Sequence, residues 1–149
     1  MEHRTPRIPY HREILLFTGR VRRALKPQMV LLYGSLARGD FHQGSDVDII
    51  VVSDHIPHDL VDRWKLIDSI TPATLPAEVL AYTTREFEAM IEQRHPTALS
   101  AMEEGRVLHD NGFYQAARRE HKQVQKRTGL KKTERGWVAE KLLPVGLRR

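Results

Sequence analysis

Two short runs in this 149-residue chain carry almost no polar side chain: Met29-Val-Leu-Leu-Tyr33 and Val47-Asp-Ile-Ile-Val-Val52. A strand with one wet face alternates apolar and polar residues, whereas a strand covered on both faces reads as an unbroken apolar run. The two runs therefore call for a sheet with structure packed on both sides. The second is β-branched almost throughout, as a central strand is. The flanking segments supply the cover. Glu13 to Lys26 places Ile14, Phe17, Val21, Ala24 and Leu25 at helical spacing, and Pro27 stops it. Asp59 to Ile70 reads as a second helix, with Trp64 expected in the core, and Glu78 to Tyr82 as a third strand. Thr83 and Glu86 have capping-box spacing and open a helix that turns Phe87, Met90 and Ile91 inward. Pro96 and Thr97 start another helix, which Gly105 ends, and Val107-Leu108 forms a fourth short strand. Tyr114 to Arg127 is helical and basic. A last short helix near Trp137 to Leu143, or a flexible end, closes the chain. The pattern is α/β, with three or four strands interleaved with helices.

Composition narrows the classes. There is no cysteine, so neither a disulfide framework nor a thiolate metal site is available. No apolar run approaches the roughly 20 residues of a membrane-spanning helix. Met1 to Tyr10 lacks the apolar stretch of a signal peptide, so the expected location is the cytoplasm. The net charge of +5 and pI near 9.7 invite a nucleic-acid reading. The charge is uneven, however. Residues 1–112 carry 13 Lys and Arg against 16 Asp and Glu, a net of −3; residues 113–149 carry 11 against 3, a net of +8. The expected organisation is a mildly acidic domain over 1–112 and a basic helical extension over 113–149.

The chemistry gathers around the two apolar runs. Gly34-Ser35 follows the first, where glycine permits close backbone approach and free N–H groups with the Ser35 hydroxyl can hold an anion. Asp46 and Asp48 open the second and, two apart on a strand, project to one face. Two carboxylates there raise each other's pKa unless a cation lies between them, and hard Mg²⁺ takes one or two carboxylates plus substrate phosphates. An isolated Asp-x-Asp is ordinarily solvated surface, and an isolated Gly-Ser ordinarily a turn. Together they suggest a metal–nucleotide site, and without a Gly-Lys-Ser/Thr this is no Walker A loop.

Gly34-Ser35, ten intervening residues and Asp46-Val47-Asp48, within Tyr-Gly-Ser-x-Ala-Arg-Gly and Gly-Ser-Asp-x-Asp-Ile, resemble the signature of the DNA polymerase β-like nucleotidyltransferase superfamily, in its minimal nucleotidyltransferase branch. The resemblance covers about residues 10–110. It implies a small mixed β-sheet flanked by helices, and Mg²⁺-dependent transfer of a nucleoside monophosphate from an NTP such as ATP with release of pyrophosphate. Two metal ions are implied, Mg²⁺ or Mn²⁺ in its place, held by Asp46, Asp48 and a third carboxylate. Glu78 is the best match for that third acid; standing alone it would read as an exposed acid at a strand start, and many superfamily members carry Asp there. By the same resemblance Gly34 and Ser35 hold the β- and γ-phosphates, Ser45 assists, and Arg38 either neutralises phosphate charge or lies on a helix surface. Tyr82-Thr83 would border the nucleotide pocket. His55 and His58 straddle Pro57 in a loop and are assigned no zinc, and Phe87 is read as core.

Three functions follow. The first is an NMP-transferring enzyme acting on a protein or small-molecule hydroxyl, one known role in this branch being the antitoxin of a helical HEPN-type toxin pair. The second is a non-catalytic module that caps a partner. The third is modification of nucleic acid held by the basic extension, ranked last because no aromatic residues interleave its cations.

Overall fold

The computed structural model describes residues 8–42 and 44–139. Twelve elements follow in order: α1 (His11–Leu25), β1 (Met29–Tyr33), α2 (Gly34–Arg38), β2 (Val47–Val52), α3 (Leu60–Ile70), β3 (Ala77–Tyr82), α4 (Thr84–Glu92), α5 (Pro96–Glu104), β4 (Arg106–Asp110), α6 (Phe113–Thr128), β5 (Leu130–Thr133) and β6 (Gly136–Ala139). Four strands form one mixed sheet in the order β3-β2-β1-β4. β1 is antiparallel to both β2 and β4, and β2 is parallel to β3. The two apolar runs are the two central strands, buried on both faces as their composition demands.

Each face has its own core. On one, Val30, Leu32, Ile49 and Val51 pack against Ile14, Phe17, Val21 and Leu25 of α1, with Ile67 of α3 and Leu36 of α2. On the other, Met29, Leu31, Ile50 and Val52 meet Phe87 and Ile91 of α4, Leu99 and Met102 of α5, and Ala117 and Val124 of α6. Fully burying such side chains is worth about 1.5–3 kcal/mol each, so these two layers dominate the stability of the fold. The basic helix α6 thus turns an apolar stripe inward and its cations outward.

Local signals act where they were read. The Thr83 side chain accepts from the Glu86 N–H at 3.1 Å, and the Glu86 carboxylate accepts from the Thr83 N–H at 2.8 Å, a complete capping box. Pro96 opens α5, and Gly105 closes it.

Two expectations are corrected. Trp64 is not core: it is 64% exposed, because the inward position of α3 belongs to its neighbour Arg63, which is only 5% exposed. Phe87 is fully buried, as expected. The segment from Trp137 is not helical as far as it is described. Gly129 leaves α6 in the left-handed region at φ 64°, and the chain returns as the antiparallel hairpin β5–β6, in which Leu130 pairs with Ala139 and Thr133 with Gly136. Leu130 is buried, and the Trp137 indole N–H donates to Ser100 Oγ at 3.0 Å, so tertiary contacts to α5 hold the hairpin down. The remainder of that expected helix, 140–143, lies outside the described residues.

Candidate active site

The side chains of Tyr33, Asp48 and Glu78 stand in a row across three strands. Asp48 is the register partner of Tyr33 on β1 and of Glu78 on β3. All three lie on the face that α4, α5 and α6 cover further along, at the end of the sheet those helices leave open. Asp46, two residues before Asp48, is exposed at the strand entrance. Burial pushes the Asp48 carboxyl above its ordinary range, and the negative charges of Glu78 and Asp46 push it further, against a smaller pull from Arg38. Burial likewise raises the Tyr33 hydroxyl, with the Asp48 and Glu78 carboxylates adding to it, so Tyr33 stays protonated as a hydrogen-bond donor.

Gly34 packs directly against Asp48. Its φ is 74°, a conformation natural to glycine. A β-carbon built there would overlap Asp48 Oδ2 and lie 3.2 Å from the carboxyl carbon. The close approach expected of this glycine is therefore an approach to the acidic side chain itself. Ser35 follows half-buried; its carbonyl accepts from the Gly39 N–H at 2.9 Å, and its hydroxyl makes no hydrogen bond among the described residues.

The other predicted residues are engaged elsewhere. Ser45 closes the turn before β2: its Oγ accepts from the His42 N–H at 2.9 Å, and its own N–H donates to the His42 carbonyl at 3.0 Å. Arg38 donates through Nε to Asp40 at 3.1 Å and through Nη1 to Glu104 at 2.9 Å. Lys132 also pairs with Glu104, at 3.0 Å. Thr83 is spent on capping α4, and Tyr82 lies beside Phe87 with ring centroids 6.3 Å apart.

Whether these residues suit a divalent cation can be judged from the donors. They are all carboxylate oxygens, the class that hard cations take, and the mutual repulsion raising Asp48 is what a cation relieves. Among the described residues, no three acidic or imidazole side chains stand close enough to enclose a metal by themselves. The set fits a cation that two carboxylates hold and substrate phosphates complete.

The family model for the nucleotidyltransferase domain matches residues 16–130. The chain belongs to the nucleotidyltransferase domain family. It is an enzyme of that class, and its mixed four-stranded sheet flanked by helices is the nucleotidyltransferase fold. A Methanocaldococcus jannaschii protein bearing the name "Putative protein adenylyltransferase MJ0604" is 34% identical over 82 residues, 54% of this chain and 76% of its own length. A chain of a toxin–antitoxin crystal structure with AMP-PNP superposes on this nucleotidyltransferase with a TM-score of 0.52 at 20% identity, covering 78% of this chain and 90% of that one. A chain from the complex of a tri-AMPylated Shewanella oneidensis HEPN toxin with an MNT antitoxin gives a TM-score of 0.45 at 17% identity, covering 76% and 91%. At 20% identity the first of these likenesses speaks to the fold alone.

Sequence reasoning missed two participants. Tyr33 could have been found, since the last residue of a strand beside an acidic strand start faces it every second position. The ion pair of buried Arg63 with the half-exposed Glu86 carries no local signal. Arg63 Nε donates to the Pro57 carbonyl at 2.9 Å, and Nη1 to the Ala81 carbonyl at 3.1 Å and to Glu86 Oε1 and Oε2 at 3.0 and 3.2 Å. Among the described residues, no helix is long and apolar enough to cross a membrane.

Proposed function

We propose that this nucleotidyltransferase moves AMP from ATP to a hydroxyl group on a protein, in the role of an antitoxin that modifies a helical HEPN-type toxin. The observation that carries the reading is the in-register pair Asp48 and Glu78 on parallel neighbours, with Gly34 pressed against Asp48 on the side of β1. The name of the M. jannaschii relative and those of the toxin–antitoxin assemblies support the substrate and the partner.

In the proposed reaction the acceptor oxygen bonds to the α-phosphorus of ATP, the bond from that phosphorus to the bridging oxygen breaks, and pyrophosphate leaves with the electron pair. The acceptor proton passes to Glu78, exposed at the strand end, and on to water. Mg²⁺ would be held by two carboxylates at a time, Asp48 with Asp46 or with Glu78, and completed by substrate oxygens; it would supply charge neutralisation at the triphosphate and polarise the acceptor oxygen. Gly34 and Ser35 would take the β- and γ-phosphates, the Ser35 hydroxyl being available to donate. Ser45 would act by holding the turn that sets the Asp46 backbone. Arg38 would screen the triphosphate from its place on Asp40 and Glu104. We read residues 113–149 as a basic extension facing the partner, with α6 lending Ala117 and Val124 to the shared core. The nucleic-acid alternative draws no particular support, since Arg127 and Lys132 are paired with Glu92 and Glu104.

The test is incubation with each NTP and Mg²⁺, alone and with the product of the neighbouring gene, followed by mass spectrometry. Addition of one or more AMP units to the partner, absent with Asp48→Asn, is the expected result. Equal labelling by the Asp48→Asn protein would remove the assignment.

A further inference from the structure

Among the described residues β3 has one partner strand, β2, and its other edge is open. The Val47 N–H donates to the Pro76 carbonyl and the Ser53 N–H to the Tyr82 carbonyl, each at 2.9 Å, so the even-numbered residues of β3 bond to β2. In a parallel ladder the alternate residues, Ala77, Val79 and Ala81, then turn their backbone groups outward. Two of these are used: the Ala77 N–H donates to the Leu75 carbonyl at 2.8 Å, and Arg63 covers the Ala81 carbonyl. The Val79 N–H and C=O, the Ala77 C=O and the Ala81 N–H make no hydrogen bond among the described residues.

A groove follows this edge. A cavity of about 250 Å³ lies between α3 and β3, lined by Leu60, Trp64 and Ile67 on one side and Val79 to Tyr82 on the other. A second, of about 70 Å³, continues it past Asp68 to Ala77 and shares Trp64 and Val79. Leu60 and Trp64 on this wall are 72% and 64% exposed, apolar side chains left uncovered among the described residues. Of the charged groups lining the groove, Arg63 and Glu86 pair with each other, leaving the carboxylate of Asp68; Glu78 stands on β3 between the lining residues Ala77 and Val79.

We infer that this edge receives an extended segment of the protein acceptor as an added strand, with basic residues flanking a hydroxyl-bearing one. The inference rests on the transfer reading above and names how its acceptor is held. Unpaired backbone donors and acceptors spaced along an edge are satisfied by another backbone, and side chains of the added strand fill the groove. The layout of the site agrees with it. Across the end of the sheet the order is Gly34-Ser35, Asp48, Glu78, then the open edge, so triphosphate and added strand would lie on opposite sides of the acids. A residue directly across from Glu78 on an added strand has its Cβ about 5 Å away on the same face. The hydroxyl thus arrives beside the carboxylate that takes its proton, and the transfer step balances as written above, with ATP as donor and pyrophosphate as leaving group. The Asp68 carboxylate on the groove favours lysine or arginine in the flank that passes it.

The probe is the peptide Lys-Val-Lys-Val-Tyr-Val-Lys-Val-Lys, compared with the same peptide N-methylated throughout its backbone, which leaves the protein unaltered. Expected results are slower amide exchange at Val79 and Ala81, a saturable change in Trp64 emission that Trp64→Phe abolishes, and AMP on the peptide tyrosine with ATP and Mg²⁺. The N-methylated peptide binds at least about tenfold more weakly, as loss of one or two hydrogen bonds entails. Unchanged exchange at Val79 at millimolar peptide, or equal binding of the N-methylated form, overturns the inference. Docking without tyrosine labelling, while the partner protein is labelled, overturns the acceptor role of this edge. Docking with no nucleotide incorporated anywhere overturns the transfer reading instead.

Discussion

Asp48→Asn should abolish nucleotide transfer and at the same time make the metal-free protein more stable. Neighbouring strands stand about 4.8 Å apart, so carboxylates on register partners lie about 5.5 Å apart. Two unit charges at that distance repel by about 0.7 kcal/mol in bulk water and about 3 kcal/mol at an effective dielectric constant near 20. Glu78 is exposed and Asp48 only half-buried, which places the pair toward the watery end, at about 1 kcal/mol. For a chain of this size that is a rise in Tm of about 2–4 °C. The pH dependence follows from the direction of the shift. Asp48 is raised in the folded protein above its ordinary 3.8, so the native state binds the proton more tightly than the unfolded one. Stability therefore falls as pH rises from 3.8 through the folded pKa, and the full cost is present above it. The advantage of Asn should be complete at pH 7 and vanish once the wild-type carboxyl is protonated in acid. Adding Mg²⁺ at pH 7 should stabilise the wild type and leave the variant little changed. Thermal melts of both proteins across pH 3 to 8, with and without Mg²⁺, decide it. A variant no more stable than wild type at pH 7, or one whose advantage is the same at pH 3, would refute the electrostatic account of the site.

Gly34→Ala forces a β-carbon onto Asp48 Oδ2 at a positive φ, so it should cost about 1–3 kcal/mol and cut transfer at least tenfold, read by melting and by labelling of the partner. Arg63→Met takes the Arg63 donor from the Ala81 and Pro57 carbonyls and leaves Glu86 only the Thr83 N–H; since Glu86 is partly solvated, the loss should be about 2–3 kcal/mol, measured by denaturant unfolding. Burial works to raise the Glu86 carboxyl, but the backbone hydrogen bond from Thr83 and the Arg63 guanidinium outweigh it and hold it below the ordinary 4.5. Its contribution is complete above pH 4.5 and lost as pH falls through the folded pKa, so acid unfolding should be less steep in Glu86→Gln than in wild type.

Much of the architecture was legible because it is encoded locally. The unbroken apolar runs announced strands covered on both faces, Thr83 and Glu86 spelled a helix start, and Pro96 and Gly105 bracketed α5. What stayed hidden depends on partners distant in sequence. Trp64 and Arg63 are adjacent on one helix, and only the presence of Glu86 and the Ala81 carbonyl, 23 and 18 residues away, decides that the cation turns inward. The β5–β6 hairpin has weak periodicity of its own and depends on contacts such as Trp137 to Ser100. At the site, the alternation of a strand is the ground for expecting Asp46 and Asp48 on one face; Asp46 stands just before β2, and its charge acts on Asp48. That Tyr33 and Glu78 flank Asp48 required the sheet order β3-β2-β1, which no short motif states.

The parallel pairing of β2 with β3 also bears on how the protein becomes active. Parallel neighbours cannot be joined by a tight turn, so the chain must leave β2, form α3 and return before Glu78 can meet Asp48, thirty residues earlier. That closure costs loop entropy before any contact repays it, and pairings of such separation form slowly. The carboxylate pair therefore assembles only when the crossover has docked, and a nascent or partly unfolded chain with β1 and β2 already in place would still lack Glu78 beside Asp48. On the proposed role of Glu78, activity reports on completion of the fold, and a fragment ending before β3 holds Gly34-Ser35 and Asp46-Val47-Asp48 without that carboxylate.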